Sequence, residues 1–272
     1  MQMAVSMAPA GLLGALIESI WLHEAPAPRG GAERRLPTGR VELVVNLRED
    51  RFALPDGLGG HDHYPGTVVA GPFARPYALE RAQQTCVLGV VFKPAAARPL
   101  IGQPMHELSG RHVALADLWG GHAADELREL ALEAPTLHER LAAVERVLER
   151  RLARAAQATH PHAVESVAWI ARAPARYGVA QLSDWLGWTP RRLQQVFRAD
   201  VGLTPREYQR LARFRVTLAN VDAAAEIGWA AFALRHGYCD QPHLIREFRA
   251  HAGLAPSEYL QLRGPALNHV PA

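Results

Sequence analysis

One pattern, Phe-Arg-Ala-x-x-Gly-Leu-x-Pro-x-Glu-Tyr, occurs twice in this chain of 272 residues, at positions 197–208 and 248–259, a constant offset of 51. A repeat of this kind narrows the fold more than composition can, because it reads as the end of one helix and the start of the next. Gly202 and Gly253 suit the position that closes a helix, and Pro205 and Pro256 suit the first turn of the helix that follows. One helical unit is used twice, and its function lies in the residues that precede each copy.

Those residues have a common plan. A short helix (Leu182-Ser-Asp-Trp-Leu) ends at Gly187 and a second runs over 189–201; another (Phe232-Ala-Leu-Arg-His) ends at Gly237 and is followed by a helix over 240–252. A helix, a tight turn containing Gly and a second helix make a helix-turn-helix. The second turn is one residue longer than the first. Leu193, Val196 and Phe197, or Leu244 and Phe248, form the inward stripe of each second helix. Arg191, Gln194, Gln195 and Arg198 face outward in the first, and His243, Arg246 and Arg249 in the second.

Arginine matches guanine O6/N7 and glutamine matches adenine N6/N7 in the major groove, and neighbouring basic side chains such as Arg192 take phosphates. The plain alternative is a solvated face on a helical bundle. It loses ground because two equivalent faces behind Gly turns both carry arginine and glutamine.

The remaining helices follow from their punctuation. One is expected over 163–173, stopped by Pro174, and one over 179–186. Thr189-Pro190 opens the next, and Thr204-Pro205-Arg206-Glu207 provides a full capping box for a longer helix to about Asn220. The second unit adds helices over 229–236 and 241–252, and a last one from Pro256. Trp169, Trp185, Trp188 and Trp229 read as core or turn-packing residues, with Trp188 also beside the recognition helix.

Charge supports the same division. From His160 onward there are 13 arginines against nine acidic side chains, a net of +4, whereas the rest carries 17 basic and 18 acidic groups. The whole basic excess lies where a polyanion would be met. Lys93 is the only lysine, so phosphate contacts fall to arginine.

Residues 40–95 read differently, as strands with turns. Short β-rich runs at 41–47, 67–70 and 86–92 are separated by Pro55-Asp-Gly57, Tyr64-Pro-Gly66 and Gly71-Pro72. Leucines and valines from Leu127 to Leu152 then recur at helical spacing, broken near Pro135. A helix over 136–158, capped by Thr136 with Glu139, ends this part, and Thr159-His-Pro-His162 is a linker. The expected division is 1–158, 159–264 and a tail over 265–272.

At this point the sequence resembles a known family. Gly237-Tyr-Cys-Asp-Gln-Pro-His-Leu-Ile-Arg-Glu-Phe248, with Gly253-Leu-Ala-Pro-Ser-Glu-Tyr259, is similar to the C-terminal signature of AraC/XylS-type transcriptional regulators. Leu186-Gly-Trp-Thr-Pro-Arg-Arg-Leu-Gln-Gln-Val-Phe197 resembles the matching first motif. The resemblance covers about residues 160–262. It implies a monomeric pair of motifs bridged by one helix on an asymmetric DNA site. Carried over by position, Arg191, Gln194 and Gln195 become base readers of the first motif, Gln241 and Arg246 those of the second, and His243 lies nearer the backbone. Gln195 stands where Arg is common, Pro242 where a small polar residue is usual, and Ala255 replaces the usual Ser/Thr cap.

The N-terminal part resembles a partly β-stranded domain attached to many such regulators, through residues 36–46, Gly71-Pro-Phe73, 88–94 and Glu107-Leu-Ser109. Ala95-Ala-Ala97 takes the place of a Gly-rich turn common there. The implied class is α+β, a small β-barrel-like (cupin-like) domain with trailing helices followed by an all-α DNA-binding domain.

The expected partners are double-stranded DNA, RNA polymerase where the chain activates, a small-molecule effector in the N-terminal domain and a second copy of the chain. The expected location is the cytoplasm, away from membranes. Cys86 and Cys239, the only cysteines, fit a reducing compartment, and residues 1–20 do not read as a signal peptide. No cofactor and no catalytic residue is expected. His61-Asp-His63 is compatible with a metal but reads as an exposed loop. The competing class is a metal-dependent barrel enzyme that uses the C-terminal part for DNA targeting.

Overall fold

The structure is a computed structural model that describes residues 3–26, 31–56, 59–176, 178–264 and 266–271, with 225 and 226 described by backbone only. Gly57, in the expected turn after Pro55, lies outside them. The N-terminal part runs through β1 (Met3–Met7), α1 (Gly11–Leu16), β2 (Ile17–Glu24), β3 (Ala32–Arg35), β4 (Glu42–Asn46), β5 (Arg51–Pro55), β6 (His61–Pro65), β7 (Thr67–Ala70), β8 (Tyr77–Glu80) and β9 (Cys86–Phe92). It continues with α2 (Arg98–Ile101), β10 (His112–Ala114), α3 (Leu115–Trp119), α4 (Gly121–Glu133) and α5 (Leu137–Ala153).

The C-terminal part comprises α6 (Pro161–Arg172), α7 (Val179–Leu186), α8 (Pro190–Val201), α9 (Pro205–Ala219), α10 (Ala224–Ile227), α11 (Trp229–Arg235), α12 (Gln241–Ala252), α13 (Pro256–Leu262) and β11 (His269–Pro271). Among the described residues no helix is long and apolar enough to cross a membrane.

The fold is α+β, but the strands do not close into a barrel. β1-β2-β9-β4-β7-β10 form one antiparallel sheet, β11-β3-β8 a second and β5-β6 a third. The physical reason is two-sided burial. Leu43, Val45, Leu88 and Val90 pack with Leu127, Leu141, Val144 and Leu148 of α4 and α5. On the opposite face Val68 meets Phe52, Leu54 and Leu79 of the smaller sheets. The small sheets stack over the large one instead of joining its edges. β9 is buried throughout, as a central strand covered on both faces should be.

Gly89 of β9 is required by this stacking: a Cβ there would lie 2.3 Å from the Trp21 ring, which crosses the sheet face at that point. The expected strand at 41–47 shortens to β4, and the helix expected over 136–158 ends at Ala153. Thr136 and Glu139 do form the capping box.

Two further features depart from the sequence reading. His61-Asp-His63 belongs to a strand, β6, paired with β5 through Leu54↔Asp62; its exposed, alternating polar side chains give no apolar period to recognise. Residues 269–271, in the expected tail, form β11 against β3, with Val270 facing Arg34. The second hydrophobic core lies within the helical part and also takes in Leu36, Ala95 and Val270. Ala95 sits at φ 65°, a conformation that costs an alanine about 1–2 kcal/mol, and its buried methyl packs in that core.

Candidate nucleic-acid interface

The two helix-turn-helix units are built by the signals that their sequences carry. Gly187 closes α7 at φ 63°, and Thr189 caps α8 by accepting the Arg192 N–H at 3.2 Å. Leu193 and Phe197 are buried, while Arg191, Arg192, Gln194, Gln195 and Arg198 are all exposed on the opposite face of α8. In the second unit Asp240 caps α12 by accepting the His243 N–H at 2.7 Å. Leu244 and Phe248 are fully buried, Arg246 and Arg249 are exposed, and Gln241, His243 and Ile245 are half-buried.

The structure therefore brings the expected residues onto one outward face per recognition helix, but not on equal terms. His243 Nδ1 accepts the Cys239 N–H at 3.2 Å, and its ring stands edge-on to Tyr238 at 5.4 Å. That bond holds the longer second turn in shape and leaves Nε2 as the donor. Arg192 lies over the Trp188 ring at 5.6 Å, and Trp188 is packed edge-on between His160 and His162. Trp185, expected in the core or in turn packing, is 59% exposed on α7: the helix buries the side that carries Leu182 and Ser183, and Trp185 falls outside it.

Scaffold arginines behave differently. Arg210 of α9 makes a two-pronged bond to Glu247 of α12, 2.8 Å on each oxygen, the geometry in which guanidinium and carboxylate bind most strongly. Burial alone would raise the Glu247 carboxyl, yet the bond to Arg210 holds it below the usual range. Arg213 donates to the Gly237 carbonyl at 2.9 Å, and Tyr238 reaches Thr217 through its hydroxyl at 3.2 Å. The second turn is thus bolted to α9. By contrast the side chains of Arg191, Gln194, Gln195, Arg198, Arg246 and Arg249 make no hydrogen bond or ion pair among the described residues. These scaffold contacts were invisible in the sequence, where one outward arginine looks like another.

The N-terminal domain holds a cleft between the large sheet and β3-β8. Arg35 and Glu42 meet there at 2.5 Å, with Trp21, Tyr77 and His112 among its walls. Burial works against the charge on Arg35, and Glu42 beside it more than offsets that penalty. His112, desolvated and near Arg35, is pushed down to about 4. The enclosed space is small, about 40 Å³, and a larger open groove of about 680 Å³, lined in part by Asp62, His63 and Arg111, meets it at His112. His61 pairs with Glu80 at 3.4 Å, and among the described residues no three metal-ligating side chains gather at one point.

Residues 182–262 match the helix-turn-helix domain family, and residues 5–114 match a family described as a domain of unknown function. This is a DNA-binding protein of the helix-turn-helix class. Its C-terminal region is a domain of the AraC type, and the chain is a regulator of transcription.

Among solved structures it is similar to apo ToxT K231A from Vibrio cholerae strain SCE256, with TM-score 0.45 and 13% identity over 89% of this chain and 96% of that one. It is similar too to the P21 form of Vibrio cholerae ToxT, with TM-score 0.42 and 11% identity over 96% and 97%. A third is wild-type ToxT from strain SCE256 bound to unsaturated fatty acid, with TM-score 0.44 and 12% identity over 85% and 90%. At such scores the likeness says nothing of what this chain binds. No curated protein matches it.

Proposed function

We propose that residues 159–264 regulate transcription in the cytoplasm by laying α8 and α12 into the major groove of an asymmetric double-stranded site, with residues 1–158 modulating that engagement. Arg191, Gln194 and Gln195 read bases in one half of the site, and Gln241 and Arg246 in the other. Arg192, Arg198, Arg249 and the free nitrogen of His243 take phosphates. The observation that carries this reading is the contrast in pairing: scaffold arginines such as Arg210 and Arg213 are engaged, while the outward Arg191, Arg198, Arg246 and Arg249 make no side-chain hydrogen bond or ion pair among the described residues, and Arg192 only lies over the Trp188 ring. Charged donors left free on a face behind a Gly turn suit phosphate and base edges.

The modulating signal is an effector that engages the Arg35–Glu42 cleft, or a second copy of the chain; where the protein activates, RNA polymerase is its further partner. The N-terminal reading is supported by a desolvated ion pair beside open space, the kind of polar group that orients a small ligand. The test is DNA binding by the full chain as salt is varied. With two to four phosphates neutralised, log affinity should fall against log salt with a slope of about −2 to −4. A flat salt response would remove the reading.

A further inference from the structure

Both copies of the repeat are docked onto the N-terminal domain, and through equivalent positions. Asp200 and His251 occupy the same variable slot, three residues after Phe197 and Phe248, and both are buried. Asp200 accepts from Arg98 Nη1 at 2.9 Å and from the His160 N–H at 2.7 Å. His251 Nδ1 bonds the Ala74 carbonyl at 2.8 Å. Two residues further on, Gly202 packs so closely that a Cβ would lie 2.3 Å from Pro72 Cγ, and a Cβ at Gly253 would lie 3.4 Å from the Arg34 guanidinium. The repeat therefore meets the other domain through one position where the copies differ and one invariant glycine.

One loop serves both contacts. Between β7 and β8, Pro72 touches the first unit and Ala74 the second. Phe73 stands between them, its ring 4.3 Å from Tyr77 and 5.0 Å from His112, which are walls of the cleft. Within the helical part the units are joined by α9, of 15 residues and about 22 Å long, and by the second turn, where a Cβ at Gly237 would lie 2.4 Å from the Ala175 methyl just before α7. The second unit is bonded to α9 through Arg210–Glu247, whereas α8 makes no ion pair with α9 among the described residues. Each further link restricts how one unit can turn against the other, and the loop supplies the link that runs through the N-terminal domain.

We propose that the loop over residues 71–76 is a strut that fixes the spacing and relative orientation of α8 and α12, so that Phe73 and His251 are positioning residues for DNA specificity although neither reads a base. The proposal rests on the DNA-binding reading above. It concerns spacing because DNA punishes small rotations: one inserted base pair moves the second half-site by about 3.4 Å and about 34° around the helix. Readers braced by the loop follow that displacement less readily than readers released from it. Phe73 also makes the strut sensitive to whatever fills the cleft, since its ring shares a wall with it.

The test uses the full chain and the fragment that it selects from random double-stranded DNA, together with versions carrying one base pair more or fewer between the half-sites. Wild type should lose on the order of tenfold in affinity on insertion. His251→Phe keeps a ring against Phe214 but loses the bond to Ala74; Phe73→Leu loosens the aromatic contact from the other side. Both should lose less than about threefold on insertion, with base preference inside each half-site unchanged. Circular dichroism melting identifies a variant that does not fold, and the other then decides. Variants penalised as heavily as wild type, or a wild type indifferent to insertion, overturn the strut. If wild type selects no fragment at all, the DNA-binding reading itself falls.

Discussion

The two helix-turn-helix units share a scaffold and divide the work of holding it. The first ends in Asp200, an acidic side chain clamped by Arg98, and in Gly202, wedged against Pro72 and Met105. Its own turn is short, and its outward face carries five exposed polar side chains. The second ends in His251 and a roomier Gly253, but its turn is tied to α9 by Arg213, Tyr238 and the Arg210–Glu247 pair. The first unit is held from outside, by the other domain, and the second from inside, by the linker helix. A repeat fixes the shape of a unit, and the residues that the repeat leaves variable decide what holds it in place.

The equivalent glycines give the strongest way to break this comparison. Gly202→Ala adds a methyl at φ 88° against Pro72 and the Met105 carbonyl, combining left-handed strain with overpacking, for a loss of about 2–5 kcal/mol. Gly253→Ala, at φ 70° with only the Arg34 side chain nearby, should cost about 1–2 kcal/mol. Urea unfolding of both variants measures the difference; equal losses would show that the first unit is not held more tightly from outside.

Acidification comes next. The folded-state values of His112 and His251 both lie below the ordinary 6.5, in each case chiefly through burial, and that of His112 falls to about 4. Protonation therefore favours the unfolded chain. The stability is fully present above pH 6.5 and is lost as pH falls towards 4, up to about 3 kcal/mol from His112 alone. Replacing His251 with Phe should flatten part of that profile, because the second unit's dock contains a titrating ring. A melting temperature that does not fall between pH 7 and 5 would contradict this account.

For the readers, Arg246→Ala should cost about 1–3 kcal/mol of binding and relax base preference in one half-site only. If binding to all sequences weakens equally, Arg246 contacts phosphate instead. The smallest effect lies at the helix that follows each copy. Thr204 and Glu207 complete a capping box, whereas Ala255 keeps only the bond that Glu258 accepts from its N–H. Ala255→Thr should add about 0.5–1 kcal/mol in thermal unfolding.

What could be read from sequence follows from which residues carry a local signal. α7 and α12 lie where the Gly turns and caps put them, and α9 begins at its capping box, because those signals are made by neighbours in the chain. The inward and outward faces of α8 were equally legible from spacing. β3 and β6 were not: Ala32-Glu-Arg-Arg35 and His61-Asp-His63 have no apolar alternation, and their pairing is decided by strands distant in sequence. Nor were Asp200 and His251, which look like ordinary polar residues near a helix end until the domain that buries them is present. Trp185 misled in the opposite direction, since a large aromatic side chain on a short helix suggests a core that this helix does not have on that side.

β11 places the chain's last described strand on β3, and His269 bonds there to Glu33 at 2.7 Å and to Arg35 at 3.2 Å. The helical part is therefore inserted into the N-terminal domain, tethered at both ends. During synthesis the sheet containing Arg35 stays one strand short until every residue of both readers has left the ribosome. A nascent chain interrupted anywhere before residue 269 leaves β3 without β11, so the N-terminal domain is finished only when the helical part is finished too.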